Sequence, residues 1–346
     1  MENQHPTVVP TPEKRVPAEE WRRKPPFQAK SILAAFGIFL LLGWTGHNTE
    51  IPRMLNLLGD WSLDIIGVRE SSQVGTGFDK VAQDLFPIAL SDKTPISRIE
   101  NLDRENLPRF SRLEVQEIRE VTMNSDTFEL EEQLRVEEYL VEPLGYLWHV
   151  IEKMVETLEI ALWGTFIAIV VSIPLAYLSA RNYTPNLLLY QSARALVGML
   201  RSVPELISAL FLVLAFGFGP IAGILALGLH AAGFLGKFYA EDIENAEKGS
   251  QEALLSLGSS KPKVLWYAVM PQVLPSYVAY NLYILDRNVR MATVIGIVGA
   301  GGIGQELKGR YDMFNYGHVA TILLVMFVTV FTLDQLSARI RKKLIR

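Results

Sequence analysis

Between Ile160 and Ala180 the chain runs 21 residues, IALWGTFIAIVVSIPLAYLSA, without one charged side chain. A helix needs about 20 consecutive apolar residues to cross the hydrocarbon of a bilayer. In lipid, every backbone N–H and C=O must also be satisfied within the protein. The run therefore predicts a transmembrane helix, kinked at Pro174, which a membrane helix tolerates, and closed by Arg181. The preceding turn, Met154–Glu159, is expected at the outer surface. Other apolar stretches follow the same logic. Ser31–Trp44 is short for a span and could be a signal-peptide core, but no A-x-A site follows it, which favours a retained first span over 29–46. Leu187–Pro220 is too long for one straight crossing. Arg201, Pro204 and Glu205 interrupt it, so the reading is an interfacial segment, a break near Ser202–Pro204 and a span from about Glu205 to Phe218. Ile221–Tyr239 gives the next span, with His230 near its middle. A fifth begins near Pro275 and runs to Val298, and Gly317–Leu336 is the last. The expected fold is an all-α polytopic membrane protein with six transmembrane helices.

Charge orients this map. The chain is 20% charged, against about a quarter in ordinary soluble domains. Its net charge of −4 divides unevenly. From His47 to His149 there are 20 acidic and 10 basic residues, a net of −10, which leaves +6 elsewhere. The organisation read from this is a Pro-rich, disordered cytoplasmic arm at 1–28, an acidic extracytoplasmic insertion at 47–150 between the first two spans, and a core at 151–346 with a cytoplasmic loop at 240–270. Arg22, Arg23, Lys24, Lys30, Arg181, Lys248, Lys261, Lys263 and the basic tail then share one side, so the positive-inside rule puts both termini in the cytoplasm. No strongly basic face points to a nucleic-acid partner. The chain has no Cys and five scattered His residues, so neither thiolate chemistry nor a metal site is expected.

GAGGIG (Gly299–Gly304) matches a dinucleotide fingerprint but follows a membrane segment instead of a strand; its glycines suit the end of a helix and close helix contact. GLHAAGFLGKF lacks P-loop spacing, so no cofactor is expected in this chain. The cytoplasmic stretch Glu252-Ala253-Leu254, three residues, Gly258, nine residues, Ala268-Val269-Met270-Pro271 resembles the EAA signature of importer-type ABC permeases. ETLEIALWGT (Glu156–Thr165), RSVPE (Arg201–Glu205), VMPQVLPSYVAYNLY (Val269–Tyr283) and NVRMATVIGIVGAGGIG (Asn288–Gly304) are similar to permease subunits of phosphonate ABC transporters. The similarity covers about Met154 to the C-terminus.

That resemblance implies a type I ABC importer fold in a bacterial-type inner membrane. It also implies a second permease copy, a separate ATPase dimer that holds ATP and Mg, and an extracytoplasmic substrate-binding protein. Glu252, Ala253, Gly258 and Pro271 would couple to the ATPase, and phosphonate or phosphite would be the cargo. An amino-acid permease of methionine type is the alternative, with a channel or scaffold behind it. Ionisable residues inside a span face a partner or a water-filled cavity. Arg201, Glu205, His230, Asp286, Arg287, Asn288 and Arg290 are therefore the candidates for the translocation path. Arg201 with Glu205, and Asp286 with Arg290, have i,i+4 spacing and could instead be structural pairs. Arg287 and Arg290 are three apart and would share a face. His230 is either a packed, hydrogen-bonded residue or a ligand.

Overall fold

A computed structural model describes residues 29–68, 71–99, 104, 107–108, 110–123 and 130–344. The arm at 1–28 lies outside the described residues. The chain divides into two compact units at Val81/Ala82. In the first, α1 (Ala29–Asn48) and α2 (Ile51–Ile65) meet at a bend of 74°. The Asp64 carboxylate accepts from the Ser72 amide at 2.9 Å and its hydroxyl at 2.5 Å, at the entry to α3 (Gln73–Leu85). Trp61 stacks on Phe78.

The second unit opens with a three-stranded antiparallel sheet, β1 (Asp92–Pro95), β2 (Arg112–Met123) and β3 (Leu130–Glu142), in the order β1-β3-β2. RLEVQEIREV alternates with period two, the pattern of a strand, and Leu113 faces Leu140 across the pair. The sheet is a departure from an all-helical chain, confined to the insertion. Just before β1, the Ala89 amide donates to the Gly317 carbonyl at 3.0 Å and Thr321 Oγ1 donates to the Ala89 carbonyl at 2.6 Å, which fastens the sheet to the helical bundle.

The bundle comprises α4 (Gly145–Ser179), α5 (Leu187–Ser202), α6 (Glu205–Phe216), α7 (Pro220–Asn245), α8 (Lys248–Ser256), α9 (Lys261–Val264), α10 (Met270–Gly296), α11 (Ile303–Asp312) and α12 (Tyr316–Leu344). Among the described residues, three helices are long and apolar enough to cross a membrane: α4, α7 and α12. The count rises to five if the bent pairs α1/α2 and α5/α6 each make one span. It does not reach six by this measure because α10, at 27 residues, carries Asp286, Arg287 and Arg290. The α4 helix is 35 residues long, well beyond the charge-free run. Met154 within it is buried against the core.

Apolar burial gives little drive between helices in lipid, so interfaces favour small residues that bring backbones close. The core has that composition. Ala161, Ala222 and Ala226 pack with Tyr146, Ile160, Leu227 and Ile295 towards one end. Ala168, Ala231 and Ala240 pack with Leu235, Tyr239 and Tyr277 towards the other. At the first end, the Glu156 carboxylate accepts from the Gly302 amide at 3.0 Å and Thr157 Oγ1 accepts from the Ile303 amide at 2.8 Å. Two side chains of α4 thus cap the start of α11. Gly302 has φ +71, and a Cβ there would press into Thr157. The close approach in this loop is between Gly296 and Gly304. Gly302 has ψ −163, so replacing it by Ala is expected to cost about 1–3 kcal/mol for the strained backbone alone, with more from the disturbed cap, and to lower the melting temperature of the detergent-solubilised protein.

Candidate translocation site

Pro204 sets the geometry. A proline disfavours helical backbone in the residue before it, and Val203 is extended, at φ −84 and ψ 121. The helix breaks there, and α5 and α6 meet at 89°. Glu205 opens α6, where the helix dipole favours a carboxylate. The expected Arg201–Glu205 pair does not form, because i,i+4 neighbours share a face only within a continuous helix. Glu205 binds Arg287 of α10 instead, through Nη2 and Oε1. His230 of α7 completes the cluster. Its Nδ1 lies 2.9 Å from the Val203 carbonyl and its Nε2 lies 3.0 Å from Arg287 Nη2. Nδ1 therefore donates to Val203, while Nε2 lies between Arg287 Nη2 and Glu205 Oε1, the latter 3.1 Å away. Glu205 and His230 are buried.

Phe234, one turn beyond His230, was legible only as an apolar residue. The Arg287 guanidinium lies 4.8 Å from its ring centroid and that of Arg201 lies 5.7 Å away. Gly233 allows this approach: a Cβ there would stand 2.9 Å from the Arg201 amide nitrogen. At 1.5 Å per residue, His230 lies about 15 Å along α7, well inside the bundle.

The neighbouring charges go elsewhere. Asp286 and Arg290 form their i,i+4 pair at 2.8 Å. Arg290 turns towards Met326, Phe327 and Asp334 of α12, so it does not share the direction of Arg287. Asn288 is buried and donates to Thr165 Oγ1 at 2.9 Å, tying α10 to α4.

The coupling candidates sit at the opposite end from the sheet. Glu252 and Ala253 are exposed on α8, which ends at Gly258, at φ +82. Pro271 is in the first turn of α10, after a π-helical turn at Leu265–Val269. This end is held by residues the sequence did not single out. Arg194 of α5 donates to both Glu244 oxygens at 2.9 Å. The Glu247 amide donates to Gln272 Oε1 at 3.0 Å, and Tyr183 donates to Gln251 at 3.0 Å. Their sequence separations gave no local signal.

At the sheet end, Glu306 accepts from Arg310 Nε at 2.8 Å and from the Tyr146 hydroxyl at 3.3 Å, with His149 at 3.6 Å. Burial opposes the Glu306 charge, yet the hydrogen bonds and charges of Arg310 and His149 prevail and hold its carboxyl below its ordinary range.

A cluster of paired charges deep in an apolar bundle, with a polar helix pair exposed at one end, defines a membrane-transport subunit. Residues 172–346 match the family described as binding-protein-dependent transport system inner membrane component. A provisionally named phosphite transport system permease protein of Stutzerimonas stutzeri is 58% identical over 261 residues, which is 75% of this chain and 100% of that protein. The phosphite transport system permease protein PtxC of the same organism is 44% identical over 192 residues, 56% of this chain and 70% of its own. The inward facing MetNI methionine ABC transporter superposes with a TM-score of 0.51 at 24% identity, over 57% of this chain and 97% of that one; that likeness concerns the fold. The chain belongs to the family of binding-protein-dependent transport system inner membrane components and is an ABC-transporter permease subunit in a multi-pass membrane fold.

Two predictions follow from the geometry. Glu205→Ala leaves the Arg287 charge in the bundle without its carboxylate, at a cost of about 3–5 kcal/mol. Adding Arg287→Met in the same chain should recover most of that, as read from denaturation of the four proteins in a double-mutant cycle. The Glu306 carboxyl has a folded-state pKa below its unfolded value, so it contributes stability above the unfolded value of 4.5 that is lost as pH falls through the folded one. Glu306→Gln should flatten the acid limb of the melting-temperature profile and leave neutral pH the less stable by comparison with wild type.

Proposed function

We propose that this chain is the membrane permease of an ATP-driven importer for phosphite or a related phosphorus oxyanion such as a phosphonate. The observation that carries this reading is the 58% identity extending over the full length of the Stutzerimonas relative named for phosphite transport. Guanidinium groups inside the bundle support it, since their planar fork of donors matches the oxygens of such an anion. The methionine-type alternative has weaker support, because relatives of that kind are only about a quarter identical.

In this reading the chain breaks no bonds. Separate ATPase subunits, as a dimer, hold ATP and Mg. An extracytoplasmic binding protein delivers the anion, and a second copy of the chain completes the path as a homodimer in the inner membrane. Both termini and the 240–270 loop are cytoplasmic, and the acidic insertion at 47–150 faces outward. The short helix bearing Glu252 and Ala253, closed by Gly258, docks on the ATPase; Leu255 and Leu257 beside them are exposed. Closure of the ATPase pushes α8. The Glu247–Gln272 hydrogen bond and Pro271 pass the push to α10, and the Glu244–Arg194 pair passes it to α5. Rigid helices then swing the path from inward to outward facing.

The test is uptake of phosphite by proteoliposomes carrying the permease, ATPase and binding protein. Uptake should require ATP and the binding protein. Glu252→Ala with Gly258→Val should reduce it by at least about tenfold, a coupling loss of about 1.4 kcal/mol or more. Uptake by the permease alone would identify a channel and reject the reading.

A further inference from the structure

We infer that Arg201 and Arg287, gathered on the Phe234 ring, form a two-guanidinium site for a tetrahedral oxyanion, and that Glu205 occupies Arg287 until the anion arrives. The inference rests on the importer reading above and names the residues that would grip the cargo.

Charge arithmetic within the cluster is the starting point. Glu205 neutralises Arg287. His230 lies among the Val203 carbonyl, Arg287 and Glu205 and adds no negative charge. Arg201 meets no carboxylate among the described residues; its guanidinium rests on Phe234. The cluster therefore carries at least one uncompensated positive charge. A charge at that depth is costly unless it faces a partner or water. Arg201 is partly exposed and Ser202, Val203 and Pro204 are exposed, so the cluster opens on a face that this chain leaves uncovered. An anion is the partner that such a face lacks.

The second part concerns how the site is kept ready. Phe234 presents its π-face to both guanidiniums, each within about 6 Å, the range of a cation–π contact. Both guanidiniums thus lie within reach of one ring, which neutralises neither. Glu205 Oε1 takes Arg287 with a single oxygen, as one oxygen of a phosphorus oxyanion would. Glu205 and Arg201 stand on opposite sides of the 89° joint. The Arg201 backbone packs closely on α7 at Gly233. A change of joint angle would therefore draw the carboxylate from Arg287 and leave both guanidiniums in place. The same motion offers the pair to the anion when the path is open and returns Glu205 to Arg287 when the anion leaves.

The absence of cysteine allows a charge-specific test in the complete transporter. Arg201→Cys should lower ATP-dependent phosphite uptake at least about tenfold, the worth of a charge-assisted hydrogen bond, with the ATPase still co-purifying. A cationic methanethiosulfonate should restore uptake several-fold, and an anionic one should restore none; the unmodified wild-type complex controls for cysteines in the partner subunits. More than half of wild-type uptake in Arg201→Cys, or equal recovery by the two reagents, overturns the site. Should Arg201→Cys fail to assemble, Arg201→Lys and Phe234→Leu carry the test: each should lose uptake several-fold, and wild-type uptake in both overturns the site. A wild-type complex that takes up no phosphorus oxyanion instead rejects the importer reading, and the site falls with it.

Discussion

A carboxylate and a guanidinium are costly to leave unpaired inside an apolar bundle, and the Glu205–Arg287 pair imposes that requirement on three helices at once. Glu205 must leave the line of α5 to reach α10, which the break at Val203–Pro204 permits. His230 must face the same point from α7, and its other nitrogen secures the carbonyl that the break exposes. Gly233 must be small so that α5 can approach. Replacing a buried ion pair by apolar groups often leaves a protein as stable or more so. The pair is better understood as fixing which residues meet, and so the relative positions of α6, α7 and α10.

Elsewhere the bundle relies on the same device with different chemistry. Asn288 with Thr165, and Glu156 and Thr157 with the start of α11, satisfy polar groups across helices where neither lipid nor water would do so. The two ends are tied by charge, Arg194–Glu244 at one and Arg310–Glu306 at the other. Between them the Ala- and Gly-rich faces of α4 and α7 give dense contact. The polar ties thus choose the register and the small residues fill it.

This division explains what was readable in advance. The helices α4, α7 and α12 follow from long apolar runs, the α5–α6 break from Pro204, and the Asp286–Arg290 pair from helical spacing. The alternative of an Arg201–Glu205 pair fails because i,i+4 spacing brings side chains together only within one continuous helix, and the break at Val203–Pro204 separates them. Glu205 and Arg287 are 82 residues apart, and Tyr146 and Glu306 are 160 apart. No local pattern encodes such a meeting. Phe234 looked like one more core residue, since a cation–π platform differs from ordinary packing only in what lies above it. In the insertion, RLEVQEIREV suits a helix or a strand by pattern alone, and its sheet required the partner strand to be placed.

The grip of α5 on α7 has a mechanical consequence. The two helices are joined at Arg194–Glu244 and again where Gly233 receives Arg201, two turns further along α5. Two fastenings along one length make a stiff beam, free neither to slide nor to twist internally. The Val203 carbonyl, pinned to His230, is the fulcrum at the beam's tip. Under the proposed push from the ATPase, force entering at the Glu244 end would not be absorbed along α5 or α7. It would emerge as rotation of the short α6 arm, and the first side chain on that arm is Glu205.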